Sequence, residues 1–236
     1  MVLLNQMWYD YLNDIYTKGS LQEKDDGDNI REIIGMHRFL RRPQDFPAVS
    51  INDVDTFLSL MEKGSYDIDG YALKGQALCE YVTAWNDKDM IFLREDGFVY
   101  TYPERLYHLK TFDKTHNEPT YINQYEVMLN RLSNNKGSNR AVATLYNAGL
   151  DRLEQHIPCL NFIQGLIRGD HLLLSCMFSS NDIFNAWPSN MYLLTYLGMM
   201  MADDLGVDFT GIDYHCSSSH YYMTEEPLVK KAINMR

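Results

Sequence analysis

The sequence predicts an α+β fold in a single domain over residues 1–236, with a mixed β-sheet packed against long buried helices. Two patterns support this. Cys159 to Ile167 and His171 to Phe178 flank Arg168-Gly169-Asp170 as a β-hairpin, and Leu172, Leu174, Cys176 and Phe178 alternate onto one face of its second arm. Met191 to Leu205 is almost wholly apolar, as expected of a buried helix against which a sheet packs. No internal repeat, Gly- or Pro-rich linker or low-complexity tail divides the chain, so one domain is favoured over two.

The elements follow in order. From Met7 to Tyr16 the spacing of Trp8, Tyr9, Tyr11, Leu12 and Ile15 fits an amphipathic helix. Lys18 to Asp28 is polar and acidic and reads as an exposed loop, and Ile30 to Phe39 as a strand ended by Arg41-Arg42-Pro43. Ala72 to Trp85 reads as a helix. Between Asp87 and Tyr121 the signals are mixed, with Gly97, Pro103 and Pro119 marking irregular connections. Ile122, Tyr125, Leu129 and Leu132 then share a helical face that ends at Asn134-Asn135-Lys136-Gly137, and Ala141 to Tyr146 is a short apolar strand. After the hairpin and the apolar helix, Phe209 to Tyr214 and His220 to Met223 are two further strands.

Composition narrows the function. Hydrophobic residues make up 45% and charged residues 22%, values of a folded chain rather than a disordered one. With 21 Lys and Arg against 32 Asp and Glu, the net charge of −11 argues against sequence-independent binding to nucleic acid or to an anionic membrane. No apolar run is long enough to span a bilayer, and the N-terminus meets acids too soon for a secretory leader. Cys79, Cys159, Cys176 and Cys216 are unclustered, which suggests reduced thiols in a cytoplasm, and without a CxxC pair no zinc site is expected.

Several residues carry chemistry. Cys159 follows Pro158 at the opening of a strand, where a thiol can meet a cleft, although free cysteine is more often a packing residue. Its thiolate needs nearby cations or donors, and Arg140 and Arg168 are candidates. Ser179-Ser180-Asn181-Asp182 and Trp187-Pro188-Ser189-Asn190 are as readily explained as loop and helix-cap sequences as by a functional role. Asn190 offers both a donor and an acceptor, which suits the edge of a pyrimidine base. His220 and Tyr222 share one face of a strand. Glu80 sits among apolar neighbours, where a carboxylate is costly unless paired or functional.

Taken together, Arg140, Pro158-Cys159, Gln164, Ser180-Asn181-Asp182, Pro188-x-Asn190 and His220-x-Tyr222 resemble the thymidylate synthases and the related deoxynucleoside-monophosphate hydroxymethylases. The likeness runs without a gap from Ser138 to Tyr222. Upstream, Ile33-Ile34-Gly35, Phe46-Pro47, Glu80, and Gly97-Phe98-Val99-Tyr100 followed by Arg105 look like earlier landmarks of that family, placed with gaps.

The resemblance implies a mechanism. Cys159 would add to carbon 6 of the pyrimidine, making carbon 5 nucleophilic. Asn190 would read the O4 and N3 edge and stabilise the charge that develops there. Asn rather than Asp at that position favours uracil over cytosine. Glu80 would move protons at the ring and at the folate, with Tyr100 also in the catalytic set. Asp182 would bond the pterin, and His220 and Tyr222 would hold the sugar hydroxyl. Gln164 would lie beside the base at a dimer interface. The implied carbon donor is 5,10-methylenetetrahydrofolate, the implied substrate a pyrimidine deoxynucleotide, most simply dUMP, and the implied assembly a homodimer in which Arg140 reaches the partner's phosphate. No metal is implied.

The chain departs from the family pattern at Asn139 and Ser179, where arginines are usual, and at Leu160. Each lost guanidinium removes charge-assisted bonds worth roughly 1.5–3 kcal/mol, so weaker phosphate binding is expected, with Arg140, Ser180 and Arg31 left to provide it. Only 14 residues follow Tyr222, fewer than the family's closing segment, which favours a hydroxymethyl product over a methyl one. The competing readings are a non-catalytic relative that binds a nucleotide or a protein, and an enzyme acting on a nucleoside without a 5′-phosphate.

Overall fold

The computed structural model describes residues 2–24, 27–41, 66–68, 71–73, 100–113 and 118–234. Its centre is a six-stranded sheet in the order β1-β2-β10-β9-β8-β7, formed by Ser20–Glu23 (β1), Asn29–Arg41 (β2), Val142–Thr144 (β7), Leu160–Arg168 (β8), His171–Asp182 (β9) and Asp208–Tyr222 (β10). Two small hairpins stand apart from it, Tyr66–Ile68 (β3) with Tyr71–Leu73 (β4), and Leu109–Asp113 (β5) with Glu118–Ile122 (β6). The helices are Val2–Lys18 (α1), Tyr102–Tyr107 (α2), Gln124–Asn134 (α3), Ala148–Asp151 (α4), Trp187–Leu205 (α5) and Glu226–Asn234 (α6). This is the mixed α+β architecture expected.

The predicted hairpin is β8 and β9, paired antiparallel from Leu160↔Phe178 to Arg168↔His171. Leu172, Leu174, Cys176 and Phe178 are each fully buried, as their alternation requires. β10 joins β9 in parallel, which demands a crossover, and α5 supplies it. Gly206, at φ +61°, ends α5 in the left-handed conformation that glycine adopts without penalty. At Gly198 the helix meets the sheet so closely that a Cβ would stand 2.2 Å from the Phe209 ring. α1 buries Trp8, Tyr11, Leu12 and Ile15 and is tied across the core, with Trp8 Nε1 donating to Ile183 O at 2.6 Å and the Tyr11 hydroxyl 2.8 Å from Ser219 Oγ.

Five expectations need correction. The stretch read as a loop from Lys18 to Asp28 contains β1, an exposed strand registered from Ser20↔Glu32 to Glu23↔Asn29. Its pairing comes from the turn and the neighbouring strand, so no apolar alternation marks it. Phe209 to Tyr214 and His220 to Met223 belong to one continuous strand, because Cys216, Ser218 and Ser219 keep pairing with β2. Ser179 to Asp182 is the end of β9 rather than a loop, and Trp187 to Asn190 is already the first turn of α5. The helical face assigned to Ile122 starts later, because Asn123 caps α3 through Oδ1, which accepts from Glu126 N at 3.2 Å, while Ile122 stays in β6. Of the helix expected from Ala72 to Trp85, Ala72 and Leu73 lie in β4 and the rest falls outside the described residues, as do Glu80, Cys79, Phe46, Pro47, Gly97, Phe98 and Val99.

Candidate active site

A cleft of about 800 Å³ opens where β9 and β10 end and β2 begins, beside the start of α5, and it is lined by Cys159, Ser180, Asp182, Asn190, His220 and Tyr222 among others. The topology explains the convergence. Cys159 immediately precedes β8, Ser180 and Asp182 close β9, Asn190 sits in the first turn of α5, and His220 and Tyr222 close β10. Residues dispersed over 64 positions of sequence thus share one end of the sheet, the usual place for a ligand where parallel strands terminate.

Among the described cysteines only Cys159 is partly exposed. Cys176 and Cys216 are buried, and burial pushes both thiols up in pKa, which leaves them as packing groups. The Cys159 sulfur lies 3.4 Å from Ser180 Oγ. The Cys159 carbonyl accepts from Ser179 N at 2.8 Å and from the Ser179 hydroxyl at 3.3 Å, so Ser179 fixes the cysteine backbone. Tyr100 lines the cleft and donates to Ile157 O at 3.1 Å, and the Tyr102 hydroxyl accepts from Leu160 N at 3.2 Å. The two phenols hold the backbone on either side of the thiol.

Asn190 is nearly buried, and its Nδ2 donates to Asn181 Oδ1 at 3.2 Å; Asn181 in turn donates to the Tyr214 hydroxyl at 3.1 Å. That chain orients the Asn190 amide while leaving it further donor and acceptor capacity. Asp182 accepts from Phe184 N, Asn185 N and Asn185 Nδ2 at 2.9, 3.1 and 2.8 Å, so its carboxylate is rigidly placed on the cleft wall. His220 is buried, and its Nδ1 has no hydrogen-bond partner among the described residues. Burial lowers its pKa, opposed by the charge of Asp182, so its neutral form is favoured. Tyr222 stands edge-on to the His220 ring, accepts from Lys24 Nζ at 2.9 Å, and has its N–H held by Glu225 Oε2 at 3.3 Å.

The other named residues lie elsewhere. Arg31 spends its guanidinium on Gly19 O and Glu226, and Gln164 donates to Asn139 O at 2.8 Å, neither on the cleft lining. Arg140 is exposed and likewise apart from the cleft of its own chain. Sequence reasoning missed Glu32, Lys24, Ser218 and His156, all of which line the cleft. Glu32 accepts from the Ser218 hydroxyl at 2.5 Å. Both face the cleft across the β2–β10 pair, a juxtaposition visible only once that pairing is known.

The model of the family described as thymidylate synthase matches residues 6–236. The chain belongs to the thymidylate synthase family. Three relatives provisionally named thymidylate synthase are similar to this chain. The protein from Methanocaldococcus jannaschii is 32% identical over 161 residues, covering 66% of this chain and 68% of its own length. That from Methanothermobacter marburgensis is 29% identical over 167 residues, or 70% and 67% of the two chains. That from Methanococcoides burtonii is 26% identical over 234 residues, or 98% and 91%. The family is one of one-carbon transferases acting on nucleotides, and among the described residues no helix is long and apolar enough to cross a membrane.

Proposed function

We propose that the protein transfers a one-carbon unit to carbon 5 of a pyrimidine deoxynucleotide, dUMP by preference, through a covalent bond between Cys159 and carbon 6. The observation that carries this reading is the convergence of Cys159, Ser180, Asp182, Asn190, His220 and Tyr222 on one cleft, with Cys159 the partly exposed thiol among the described cysteines. Thiol addition makes carbon 5 nucleophilic and moves negative charge toward O4, which the oriented Asn190 amide receives. Ser180 and Tyr222 offer hydroxyls, and His220 a ring nitrogen, to the sugar and its substituents. Elimination of Cys159 after loss of the proton at carbon 5 restores the ring and frees the enzyme. Glu80, outside the described residues, is assigned the proton transfers.

The donor in this reading is 5,10-methylenetetrahydrofolate. The cleft suits it: the volume lies within the range of small-molecule sites, and the fixed carboxylate of Asp182 matches the N–H groups of a pterin. When bound, it supplies a methylene at the oxidation level of formaldehyde. Whether hydride or water completes the transfer decides between a methyl and a hydroxymethyl product, and mass spectrometry of the nucleotide separates the two. We place the protein in the cytoplasm, as a homodimer in which Arg140 serves the partner's cleft.

Cys159→Ala is expected to abolish tritium release from 5-tritiated dUMP while leaving nucleotide binding measurable; release at the wild-type rate would overturn the mechanism. A second reading is favoured by the acids at the cleft. Glu23, Glu32 and Asp182 line it, whereas Lys24 is engaged by Tyr222, a setting that disfavours a phosphate dianion. Calorimetric titration of deoxyuridine against deoxyuridylate decides: tighter binding of the nucleoside would place the 5′-phosphate outside the natural substrate.

A further inference from the structure

Glu32 on β2 stands directly opposite His220 on β10, and His220 in turn pairs with Asp182 on β9, so the three form a row across adjacent strands. One pleat back, Ser218 on β10 pairs with Ser180 on β9. Ser180 and Asp182 continue the alternation of the buried Leu174, Cys176 and Phe178, which puts the row on the face of the sheet that α5 packs against. Glu32 is partly buried, and its Oε2 accepts from the Ser218 hydroxyl at 2.5 Å. That bond uses one of the roughly four acceptor sites of a carboxylate and leaves acceptor capacity in the cleft, which both residues line. The Tyr222 hydroxyl accepts from Lys24 Nζ at 2.9 Å and so keeps its own proton to donate. The Cys159 sulfur lies 3.4 Å from Ser180 Oγ on β9, and Glu32 is two strands further on, about 10 Å at the ~4.8 Å spacing of neighbouring strands. A pyrimidine held at the thiol extends its sugar toward this row.

We propose that Glu32 is a specificity-determining residue of the cleft, whose carboxylate accepts the proton of the substrate's free sugar hydroxyl and rejects a sugar that carries negative charge at that position. The inference rests on the reading of the cleft as a site for a pyrimidine deoxynucleotide. In a deoxynucleoside 5′-monophosphate the 3′-hydroxyl is the one free hydroxyl, so it is the group that Glu32 reads. The match is two-sided: the hydroxyl gives its proton to Glu32 and takes the proton of Tyr222 on its oxygen, while the unpartnered Nδ1 of the buried His220 lies on the same row. A hydrogen bond to a carboxylate is stronger than one between neutral groups, so loss of the hydroxyl is costly. A phosphate at the same carbon brings about 1.5–2 negative charges and acceptor oxygens alone, and meets the carboxylate with repulsion. Glu32 therefore restricts the cleft to mononucleotides with an unsubstituted 3′-oxygen and excludes a nucleotide linked through that oxygen into a strand. Gln in place of Glu32 keeps an acceptor for Ser218 and removes the charge, which isolates the effect.

The test is calorimetric titration of the full chain with three ligands that differ only at carbon 3′: dUMP, 2′,3′-dideoxyuridine 5′-monophosphate and 2′-deoxyuridine 3′,5′-bisphosphate. The wild type is expected to bind the dideoxy compound about tenfold to a hundredfold more weakly than dUMP, and the bisphosphate more weakly still. In Glu32→Gln the dideoxy penalty should shrink to a few-fold and the bisphosphate penalty should fall at least about tenfold. Glu23→Gln, which removes a charge from the same cleft wall on β1, should leave the dUMP-to-dideoxy ratio unchanged. Deoxyuridine against 2′,3′-dideoxyuridine repeats the comparison without a 5′-phosphate. Circular dichroism establishes that each variant is folded, and the wild-type series stands without any variant. Equal wild-type affinity for the hydroxyl and dideoxy ligands, or ratios that Glu32→Gln leaves unmoved, would overturn the role of Glu32 alone. Binding of neither dUMP nor deoxyuridine would overturn the nucleotide reading of the cleft, and this inference with it.

Discussion

Asn190 shows how one amide acquires directional meaning. Its Nδ2 is committed to Asn181, whose own amide is committed to Tyr214, so the group presented to the cleft has a defined orientation rather than a freely flipping one. Uracil presents an acceptor at O4 and a donor at N3, and cytosine the reverse, so replacing the amide by a carboxylate changes which base is complemented. Asn190→Asp is expected to raise the dCMP-to-dUMP ratio of kcat/KM by at least about tenfold, in line with the roughly 1–3 kcal/mol carried by a paired polar contact to a base edge. Steady-state competition between the nucleotides measures it, and an unchanged ratio would refute the assignment. The residues on β8, β9, α5 and the end of β10 were legible because they occur as short, spaced groups of chemically unusual side chains. Glu32 and Lys24 were not: neither belongs to a distinctive group of side chains, and only the folding of β2 against β10, with β1 laid along β2, brings them to the cleft.

The crossover helix α5 was legible from its apolar length, and the β8–β9 hairpin from period-two alternation around a turn centred on Gly169. β10 was broken in two by the reading because Cys216-Ser217-Ser218-Ser219 resembles a turn sequence. The structure satisfies those serines in other ways, Ser219 with the Tyr11 hydroxyl and Ser218 with Glu32, so polar residues persist inside a sheet. Between α5 and β10 the decisive contact is Gly198 against Phe209. Gly198→Ala should cost about 1–3 kcal/mol, since the added methyl meets an aromatic ring buried to 2% exposure and overpacking forces one of them to move. Urea unfolding should show a lower midpoint at unchanged slope, with partial recovery in Gly198→Ala/Phe209→Leu. An unchanged midpoint in the single variant would show that the helix can rise off the sheet without loss.

The assembled molecule is predicted to work in pairs, with Arg140 of one copy at the cleft of the other. A Cys159→Ala chain and an Arg140→Ala chain are each expected to be poorly active alone. Mixed in equal amounts under conditions that exchange subunits, they should regain about a quarter of wild-type activity, because half of the dimers are hybrids and each hybrid has one intact site. No recovery from demonstrated hybrids would remove Arg140 from the partner's site. Within each copy, β10 lies between β2, from the start of the chain, and β9, reached only by crossing α5. The sheet therefore cannot grow strand by strand during synthesis. Until residues 208–222 emerge from the ribosome, β2 and β9 both keep bare edges able to capture other chains. Interrupted or nicked products that stop short of this segment should accumulate as insoluble aggregates.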